Sequence, residues 1–501
     1  MSIKRTYLFA LLSCIAGIIP AYSQDTTALS EEQHDVVEHE AATTDEFNTE
    51  VQASWADSLC MRLAPFVAEA DQAYYTSGIC IYDLTADTLL FQYNQNKVMR
   101  PASTQKVLTA ISALTVLGGS YTFNTDAYLS GTVTQDGTLQ GDIYVVGGFD
   151  PAFDTADLNR LANTITSLGI RRINGRIYGD VSMKDSLHMG SGWCWDDVPS
   201  DVMPYLTPLI LNRGCATVEV VNGRPQLALP SSFITLTDRT GGVERFRLTR
   251  NWLDDGNNFI ITGRITRGAT RTISVRRPEL YFLCTLADML RRKGVTFTTG
   301  DADMAPAPHT EYALQTRPAN VTNKIFSCTR TVDQILQKMM KDSDNLYAES
   351  MFYLLAAHGG KRHVEWEDGA HRVDSIMRRV DTWAMAEVAD GSGLSLYNYV
   401  SPRTMTLMLR YAYLNPNIYN YFMPSLPLAG VDGTLEHRMQ DGTAHRNVRA
   451  KTGTVSGVST LAGYCRASNG HLLAFTIMNN GLIKTAVARR FQDRLCQELT
   501  K

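Results

Sequence analysis

The sequence predicts a mixed α+β fold in which one helix-and-sheet domain is interrupted by a long, β-rich insertion. Helical periodicity free of Gly and Pro runs through residues 107–114, in the first part of the predicted domain. Alternating and β-branched residues dominate 215–275, whereas long helical runs return after about residue 320 and strand-like runs follow them. Because helical and strand patterns lie on both sides of the β-rich middle, we expect a single domain with an insertion.

Changes in composition along the chain predict its domain organisation. Residues 24–52 are acidic and polar and lack the apolar content that a packed core needs. The run Ala305-Pro306-Ala307-Pro308 marks a loop or boundary. We predict a signal peptide at 1–23, a disordered acidic linker at 24–54, a principal domain at 55–120 plus 320–501, an inserted domain at 121–214 plus 276–319, and a nested small β subdomain at 215–275.

The N-terminus has the layout of a secretory signal. Lys4 and Arg5 precede an apolar run over residues 7–19, and a small-x-small pattern ends at Ser23. Because this run is short for a transmembrane helix, we expect export, cleavage near Ser23 and no firm membrane anchor. The protein would then work in the periplasm or cell envelope of a bacterium. Lipidation of Cys14 is the minor alternative, since the residues before it also resemble a lipoprotein signal.

Composition argues against several classes of function. The 501 residues are 44% hydrophobic and 20% charged, typical of a globular protein, and the formal net charge of −4 argues against a nucleic-acid partner. Eight cysteines remain after Cys14 and form no CxxC pair, so the roughly 105 possible disulfide pairings stay open. Because the sequence has no HExxH motif and no clustered His/Cys ligands, we expect neither a metal nor a cofactor.

Ser103 and Lys106 form the first candidate catalytic pair. Both lie at the start of the helical run, and residues three apart on a helix share a face, so the amine lies beside the hydroxyl. The N-terminal end of a helix favours an alkoxide and disfavours a protonated lysine. A serine nucleophile with a lysine base is one interpretation. Taken alone, the pair is more commonly a helix-capping serine beside a surface lysine.

Two later segments supply the partners that this pair lacks. Ser343 and Asn345 lie on a loop that enters a helix over residues 346–357, where a hydroxyl can shuttle a proton and a carboxamide can hold a substrate amide. Lys451-Thr452-Gly453-Thr454 lies on a predicted strand edge, where an ammonium and a hydroxyl can hold a carboxylate. The ordered set SxxK, SxN and KTG is the signature of penicillin-interacting serine acyl-transferases.

The chain resembles the D-alanyl-D-alanine carboxypeptidase/endopeptidase family of low-molecular-mass penicillin-binding proteins (penicillin-binding protein 4-like, peptidase family S13). Its first two motif serines are 240 positions apart, whereas β-lactamases and simpler carboxypeptidases place these motifs far closer together. Other family-like blocks are Gly141-Asp142 to Asp150-Pro151, Gly192-Trp193-x-Trp195-x-Asp197, Ala389-Asp390-Gly391-Ser392-Gly393-Leu394-Ser395 and Leu426-Pro427-Leu428-Ala429-Gly430-x-Asp432-Gly433. Together these segments cover most of the chain from about Trp55 onward.

The resemblance implies a fold and a set of catalytic roles. The fold would be a serine β-lactamase/DD-peptidase-like transpeptidase domain, with helices packed on an antiparallel sheet, split by nested inserts. Ser103 would be the acylated nucleophile and Lys106 its base. Ser343 would relay a proton to the leaving amine, while Asn345 would orient the substrate amide.

The resemblance also assigns the residues that would bind substrate. Lys451 and Thr452 would fix the polarity or the carboxylate of the substrate, and Gly453 would let the peptide approach the strand closely. The backbone N–H groups of Ser103 and Thr454 would form the oxyanion hole. Water would then hydrolyse the acyl-enzyme.

The sequence departs from the family in the pocket for the stem-peptide side chain. Asp197 matches the acidic residue that in relatives contacts the amino group of diaminopimelate. However, Leu396 stands where the best-known relative has an arginine, and Ser456 replaces a longer polar residue. A partner for the diaminopimelate carboxylate is therefore missing from the match, and the preferred stem peptide stays open.

These observations predict a penicillin-binding serine DD-peptidase that removes terminal D-alanine from peptidoglycan stem peptides, cleaves D-alanyl cross-links, or does both. Its expected partners are stem peptides ending in D-alanine, with β-lactams as covalent inhibitors. A peptidoglycan-binding scaffold that uses no chemistry is the main alternative. A β-lactamase is a weaker one, because the long insertion and the acyl-enzyme family both argue against it.

Overall fold

Helices and strands alternate along the described chain. The computed structural model describes residues 54–251, 256–298 and 311–501; the predicted signal peptide, Cys14 and residues 24–53 of the predicted linker lie outside them. The α-helices are α1 (Trp55–Gln72), α2 (Gln105–Val116), α3 (Thr155–Ser167), α4 (Pro278–Arg292), α5 (Val332–Lys341), α6 (Asn345–Ala357), α7 (Trp366–Val380), α8 (Pro402–Leu414), α9 (Pro416–Ser425) and α10 (Thr485–Thr500). Among the described ranges, none of the helices is both long and apolar enough to span a membrane.

The strands fall into several sheets and are numbered here in chain order. They are β1 (Thr76–Asp83), β2 (Thr88–Tyr93), β3 (Thr122–Leu129), β4 (Thr132–Val133), β5 (Thr138–Gln140), β6 (Ile143–Val146), β7 (Arg172–Asn174), β8 (Ile177–Asp180), β9 (Cys215–Val221), β10 (Arg224–Leu227), β11 (Thr235–Arg245), β12 (Arg247–Arg250), β13 (Asn258–Arg264), β14 (Thr270–Ser274), β15 (Thr296–Phe297), β16 (Tyr312–Leu314), β17 (Asn323–Thr331), β18 (Ala386–Glu387), β19 (Tyr399–Val400), β20 (Arg449–Val455), β21 (Val458–Arg466) and β22 (Leu472–Asn480).

A five-stranded antiparallel sheet, in the order β2-β1-β22-β21-β20, organises the principal domain. Side chains of β22 alternate between its two faces, as the pleat of a strand requires. Leu473, Phe475 and Ile477 join the core shared with α1 and α10, whereas Ala474 and Met478 join the core shared with α2 and α5 to α9. Helices therefore cover both faces of the sheet, and the predicted mixed α+β class is confirmed.

The residues between α2 and α5 form sheets of their own. One has the order β16-β8-β6-β3-β17 and the other the order β15-β7-β5-β4, and α3 and α4 share a core with them. Strand β17 pairs with β3 up to Thr331. Because this pairing places β17 in a sheet of the insertion, we propose that the inserted domain ends near Thr331 rather than at 319.

Two small three-stranded sheets occupy the middle of the insertion. Their orders are β10-β9-β14 and β11-β13-β12, and their strands lie between Cys215 and Ser274. The β-branched alternation of this stretch therefore corresponds to short, partly buried strands, as predicted from the pattern. The described residues form one compact unit, so the division into domains remains our proposal.

The central strand provides a test of how far this sheet determines stability. Ile477 is fully buried in β22, whereas Ile483, just beyond the strand, is 83% exposed. We expect Ile477→Ala to lower the free energy of unfolding by about 2–5 kcal/mol, because it leaves a cavity between the sheet and its helices. Ile483→Ala, the matched control, should change it by less than about 0.5 kcal/mol. Urea denaturation followed by circular dichroism measures both, and equal effects would contradict the assignment of Ile477 to the core.

Candidate active site

Ser103 lies in a 3₁₀ turn, Ala102–Thr104, that leads directly into α2. Residues 105–114 of this helix are all buried, which explains why its sequence has no solvent-facing polar stripe. Ala102 has a left-handed backbone, with φ of 46°. Gly393 packs against this turn so closely that a Cβ atom would lie 1.9 Å from the Ala102 carbonyl oxygen. The segment that carries Gly393 therefore constrains the position of Ser103.

Lys106 brings the first two motifs together. Its Nζ donates hydrogen bonds to Ser103 Oγ at 3.2 Å, to Asn345 Oδ1 at 2.7 Å and to the Ser392 carbonyl oxygen at 2.7 Å. The side chain is completely buried. An ammonium has three donors, and here three oxygens from three different segments accept them.

Burial changes the acidity of this amine. It lowers the pKa of Lys106 to about 8, against the opposing effect of the carboxylates of Asp390, Glu349 and Asp344, which favour the ammonium. The amine therefore loses its proton more readily than an exposed lysine does. Such an amine can accept a proton from a hydroxyl beside it, which an exposed lysine does poorly.

Ser343 and Lys451 form a second hydroxyl and amine pair. Lys451 Nζ donates to Ser343 Oγ at 2.8 Å and to the Thr452 carbonyl oxygen at 2.8 Å. Lys451 is completely buried, and burial, followed by the nearby Lys106, lowers the pKa of its amine well below the usual value. Ser343 has a φ of 60°, a left-handed conformation that costs a non-glycine residue about 1–3 kcal/mol. The second and third motifs are thus in direct contact.

Asn345 is the first residue of α6 and bonds in two directions. Its Oδ1 accepts from Lys106, and its Nδ2 donates to the Val202 carbonyl oxygen at 2.8 Å. The preceding Asp344 caps the helix by accepting from the Tyr347 N–H, and it pairs with Arg213 at 2.8 Å. Two residues of the inserted region therefore contact the second motif.

The KTG segment lies on β20, the edge strand of the central sheet. A Cβ atom at Gly453 would lie 2.6 Å from the Pro101 carbonyl oxygen and 3.0 Å from the Ser103 nitrogen. We expected this glycine to let a substrate approach, and the chain's own serine turn also needs the space. Thr452 donates to Thr434, and Thr454 is exposed on the strand.

Asp197 belongs to a different segment from the three motifs. It ends a 3₁₀ turn at Trp195–Asp197, and burial, followed by the neighbouring Asp196, raises the pKa of its carboxyl group. Within the described ranges no hydrogen bond joins Asp197 to the motif residues. Its loop nevertheless contacts the site, because the Leu396 N–H donates to the Gly192 carbonyl oxygen at 3.4 Å. Ser456 is exposed in the turn between β20 and β21.

The sequence indicated a family-like block at 389–395 and a departure at Leu396, but it predicted no role for Asp390 or Glu349, which both interact with Lys106. Asp390 accepts hydrogen bonds from Trp193, Ser392, Gly393, Ser395 and Asn398, and Glu349 accepts from the Gly391 and Ser392 N–H groups. The available signal was a carboxylate inside the otherwise apolar run of α6. A buried charge of this kind needs partners, and these are main-chain groups that a sequence does not reveal.

Comparison with known proteins identifies the family. The model of the D-Ala-D-Ala carboxypeptidase 3 (S13) family matches residues 62–501. The chain belongs to this S13 family. It is a serine-type D-Ala-D-Ala carboxypeptidase by that membership, and the predicted family, fold class and enzyme class are confirmed.

Individual relatives of this S13 enzyme are similar over most of their length. The D-alanyl-D-alanine carboxypeptidase DacB of Haemophilus influenzae is 28% identical over 448 residues, which are 85% of this chain and 91% of the relative. The D-alanyl-D-alanine carboxypeptidase of Actinomadura sp. strain R39 is 29% identical, covering 81% of this chain and 78% of the relative. The crystal structure of penicillin binding protein 4 from H. influenzae superposes with a TM-score of 0.75 at 26% identity, covering 88% of this chain and 99% of that one.

The contact between Gly393 and the serine turn gives a test of how tightly Ser103 must be placed. Gly393→Ala introduces a Cβ atom that overlaps the Ala102 backbone, so the turn must shift. Since a misplacement of about 1 Å can cost about a hundredfold in rate, we expect D-alanine release to fall by that order.

Gly169→Ala is the matched control for this substitution. Gly169 has the same φ of 80° as Gly393, but an added Cβ there meets no atom within 4 Å. The control therefore carries the same backbone strain without the clash, and it should keep activity close to the parent's. Equal losses in the two variants would mean that backbone strain, and not the placement of Ser103, determines activity.

Proposed function

We propose that the chain is a penicillin-binding serine DD-peptidase that acts on peptidoglycan stem peptides through an acyl-enzyme on Ser103. The observation that carries this proposal is the meeting of all three motifs. Lys106 Nζ lies 3.2 Å from Ser103 Oγ and 2.7 Å from Asn345 Oδ1, and Lys451 Nζ lies 2.8 Å from Ser343 Oγ. A nucleophile, a buried base, an amide group and a second hydroxyl with its own amine therefore occupy one site.

In the proposed acylation step, neutral Lys106 accepts the proton of the Ser103 hydroxyl as its oxygen attacks the carbonyl carbon of the penultimate D-alanine. The resulting oxyanion would be held by the N–H groups of Ser103 and Thr454. Collapse of this intermediate breaks the C–N bond, and Ser343 relays the proton that Lys106 accepted to the departing amine, which leaves Lys106 neutral again. Hydrolysis of the ester by water then frees Ser103 and completes the cycle.

The departing group decides between the two proposed activities. In a carboxypeptidase reaction the amine belongs to the terminal D-alanine, whose carboxylate Lys451 and Thr452 would hold at the strand edge. In an endopeptidase reaction it belongs to the side chain of a second stem peptide. Asp197, in the half-buried loop beside Leu396, would contact the side chain of the stem peptide. The same acyl-enzyme serves both reactions.

β-Lactams would acylate the same serine. A second structure of the H. influenzae penicillin binding protein 4, in complex with a β-lactam, superposes on this chain with a TM-score of 0.70 at 25% identity. For this chain we propose that β-lactams are covalent inhibitors. We also propose export to the periplasm or cell envelope, supported by the signal-like residues 1–23; mass spectrometry of the mature N-terminus separates cleavage near Ser23 from lipidation at Cys14.

Loss of the nucleophile tests the acyl-enzyme directly. We expect Ser103→Ala to lower D-alanine release by about a thousandfold or more and to abolish covalent labelling by a fluorescent penicillin. The matched control is Ser112→Ala on the same helix. Ser112 is fully buried, and in the described part of the chain its hydroxyl has no hydrogen-bond partner. The control should keep its label, and a labelled Ser103→Ala variant would refute the proposed nucleophile.

One assay separates the remaining alternatives. Purified protein is incubated with pentapeptide muropeptides and with cross-linked dimers, and the products are resolved by chromatography and mass spectrometry. Release of D-alanine from the pentapeptide indicates carboxypeptidase action, and conversion of dimers to monomers indicates endopeptidase action. Bound but uncut material would favour the non-catalytic scaffold, and fast turnover of penicillin would favour a β-lactamase.

A further inference from the structure

Glu349 is a buried carboxylate that the proposed mechanism does not use. It lies on α6, four residues after Asn345, so it occupies the same face of that helix one turn further on. Its side chain is inaccessible to solvent, with 1% exposure for the residue. Its oxygens accept hydrogen bonds from the Gly391 N–H at 3.1 and 3.2 Å and from the Ser392 N–H at 2.8 Å.

These bonds fix the main chain that receives the catalytic amine. The Ser392 carbonyl oxygen, on the residue whose N–H bonds to Glu349, accepts Lys106 Nζ at 2.7 Å. The adjacent Gly391 carbonyl oxygen accepts the Thr109 hydroxyl of α2 at 2.7 Å. The carboxylate of Glu349 thus holds the segment 391–392 in the orientation that presents an acceptor to Lys106.

We propose that Glu349 is a positioning residue for acyl transfer. It orients the Ser392 carbonyl toward Lys106, and its negative charge controls how readily the Lys106 amine releases its proton. This inference rests on the proposed role of Lys106 as the base. It adds a second control over that base besides burial. Glu349 does not touch the reacting atoms and acts only through Ser392 and through its charge.

The charged groups around Lys106 and Glu349 determine how the charge of Glu349 affects the protonation of Lys106. Lys106 faces Asp390, Glu349 and Asp344, and it also faces Lys451 on β20. Glu349 in turn faces Asp390, Lys106 and Lys184, with Tyr353 one turn along α6. Burial, followed by Asp390, raises the pKa of Glu349 to about 8, in the same range as Lys106. An ionised Glu349 favours the ammonium form of Lys106 and so keeps it protonated to higher pH.

Removal of the Glu349 charge should shift the pH profile of acylation. The second-order rate constant for acylation by penicillin should rise with pH as Lys106 becomes neutral, with a midpoint near its pKa of about 8 in the parent enzyme. Glu349→Gln keeps an oxygen acceptor for the N–H groups but carries no charge. We expect the midpoint of its pH profile to move down by about one pH unit. Glu349→Asp, which keeps the charge, should restore the parent midpoint.

Glu279→Gln is the matched control. Glu279 is equally buried, at 1% exposure, but lies on α4 in the inserted region and pairs with His188. This control should leave the midpoint unchanged. Glu349→Ala also removes the charge and provides a second measurement of the direction of the shift.

Two results separate failure of this inference from failure of the proposed function. The inference would be overturned if the parent enzyme acylates normally and the charge-removing Glu349 variants keep its midpoint, even if their plateau rate falls. That result would leave the proposed function intact. A parent enzyme that takes no label at any pH would overturn the proposed function itself. A lower midpoint in the glutamine variant, restored by aspartate, would support the inference.

Discussion

Lys106 has no contact with solvent, and a buried amine is tolerated only where polar partners replace the water that it has lost. Those partners come from three segments that are far apart in the sequence, the turn at Ser103, the start of α6 at Asn345 and the loop at Ser392. One side chain thus ties together the serine turn, the second motif and a loop without a motif of its own. Displacement of any of the three leaves an ammonium proton unpaired in the interior, which costs about 1–3 kcal/mol or more.

A second buried amine makes this arrangement harder to maintain. Lys451 is also inaccessible to solvent, and its proximity to Lys106 lowers the pKa of its own amine further. Two ammonium groups in one dry site would repel each other, and the carboxylates of Asp390, Glu349 and Asp344 offset that repulsion. Lys106 can therefore exist in both the protonated and the neutral form. A general base that works near neutral pH must meet this condition.

Much of this fold and site could be predicted from the sequence, and the reasons differ between its parts. The apolar run after Ser103 predicted the buried helix, and the alternating residues of 215–275 predicted the small strands. Both patterns depend directly on which residues are buried. The three motifs predicted the serine acyl-transfer chemistry because their spacing and order are distinctive. Our proposal that the insertion ends near Thr331 rather than at 319 rests on the pairing of β17 with β3, and a pairing partner leaves no local trace in the sequence. The acceptors of Lys106 and the partners of Glu349 are main-chain groups, which every residue has, so no residue type could indicate them.

The inserted region contributes to the site through the second motif. Arg213 pairs with Asp344, which caps α6, and the Val202 carbonyl oxygen accepts the Nδ2 of Asn345. In the proposed mechanism a substrate amide must bond to Asn345, and the Val202 carbonyl already holds the donor that a substrate carbonyl would use. Binding therefore exchanges one amide–carbonyl hydrogen bond for another, and such exchanges change the free energy little. Substrate affinity must then come from other contacts, and the Val202 carbonyl keeps Asn345 oriented until a substrate carbonyl replaces it.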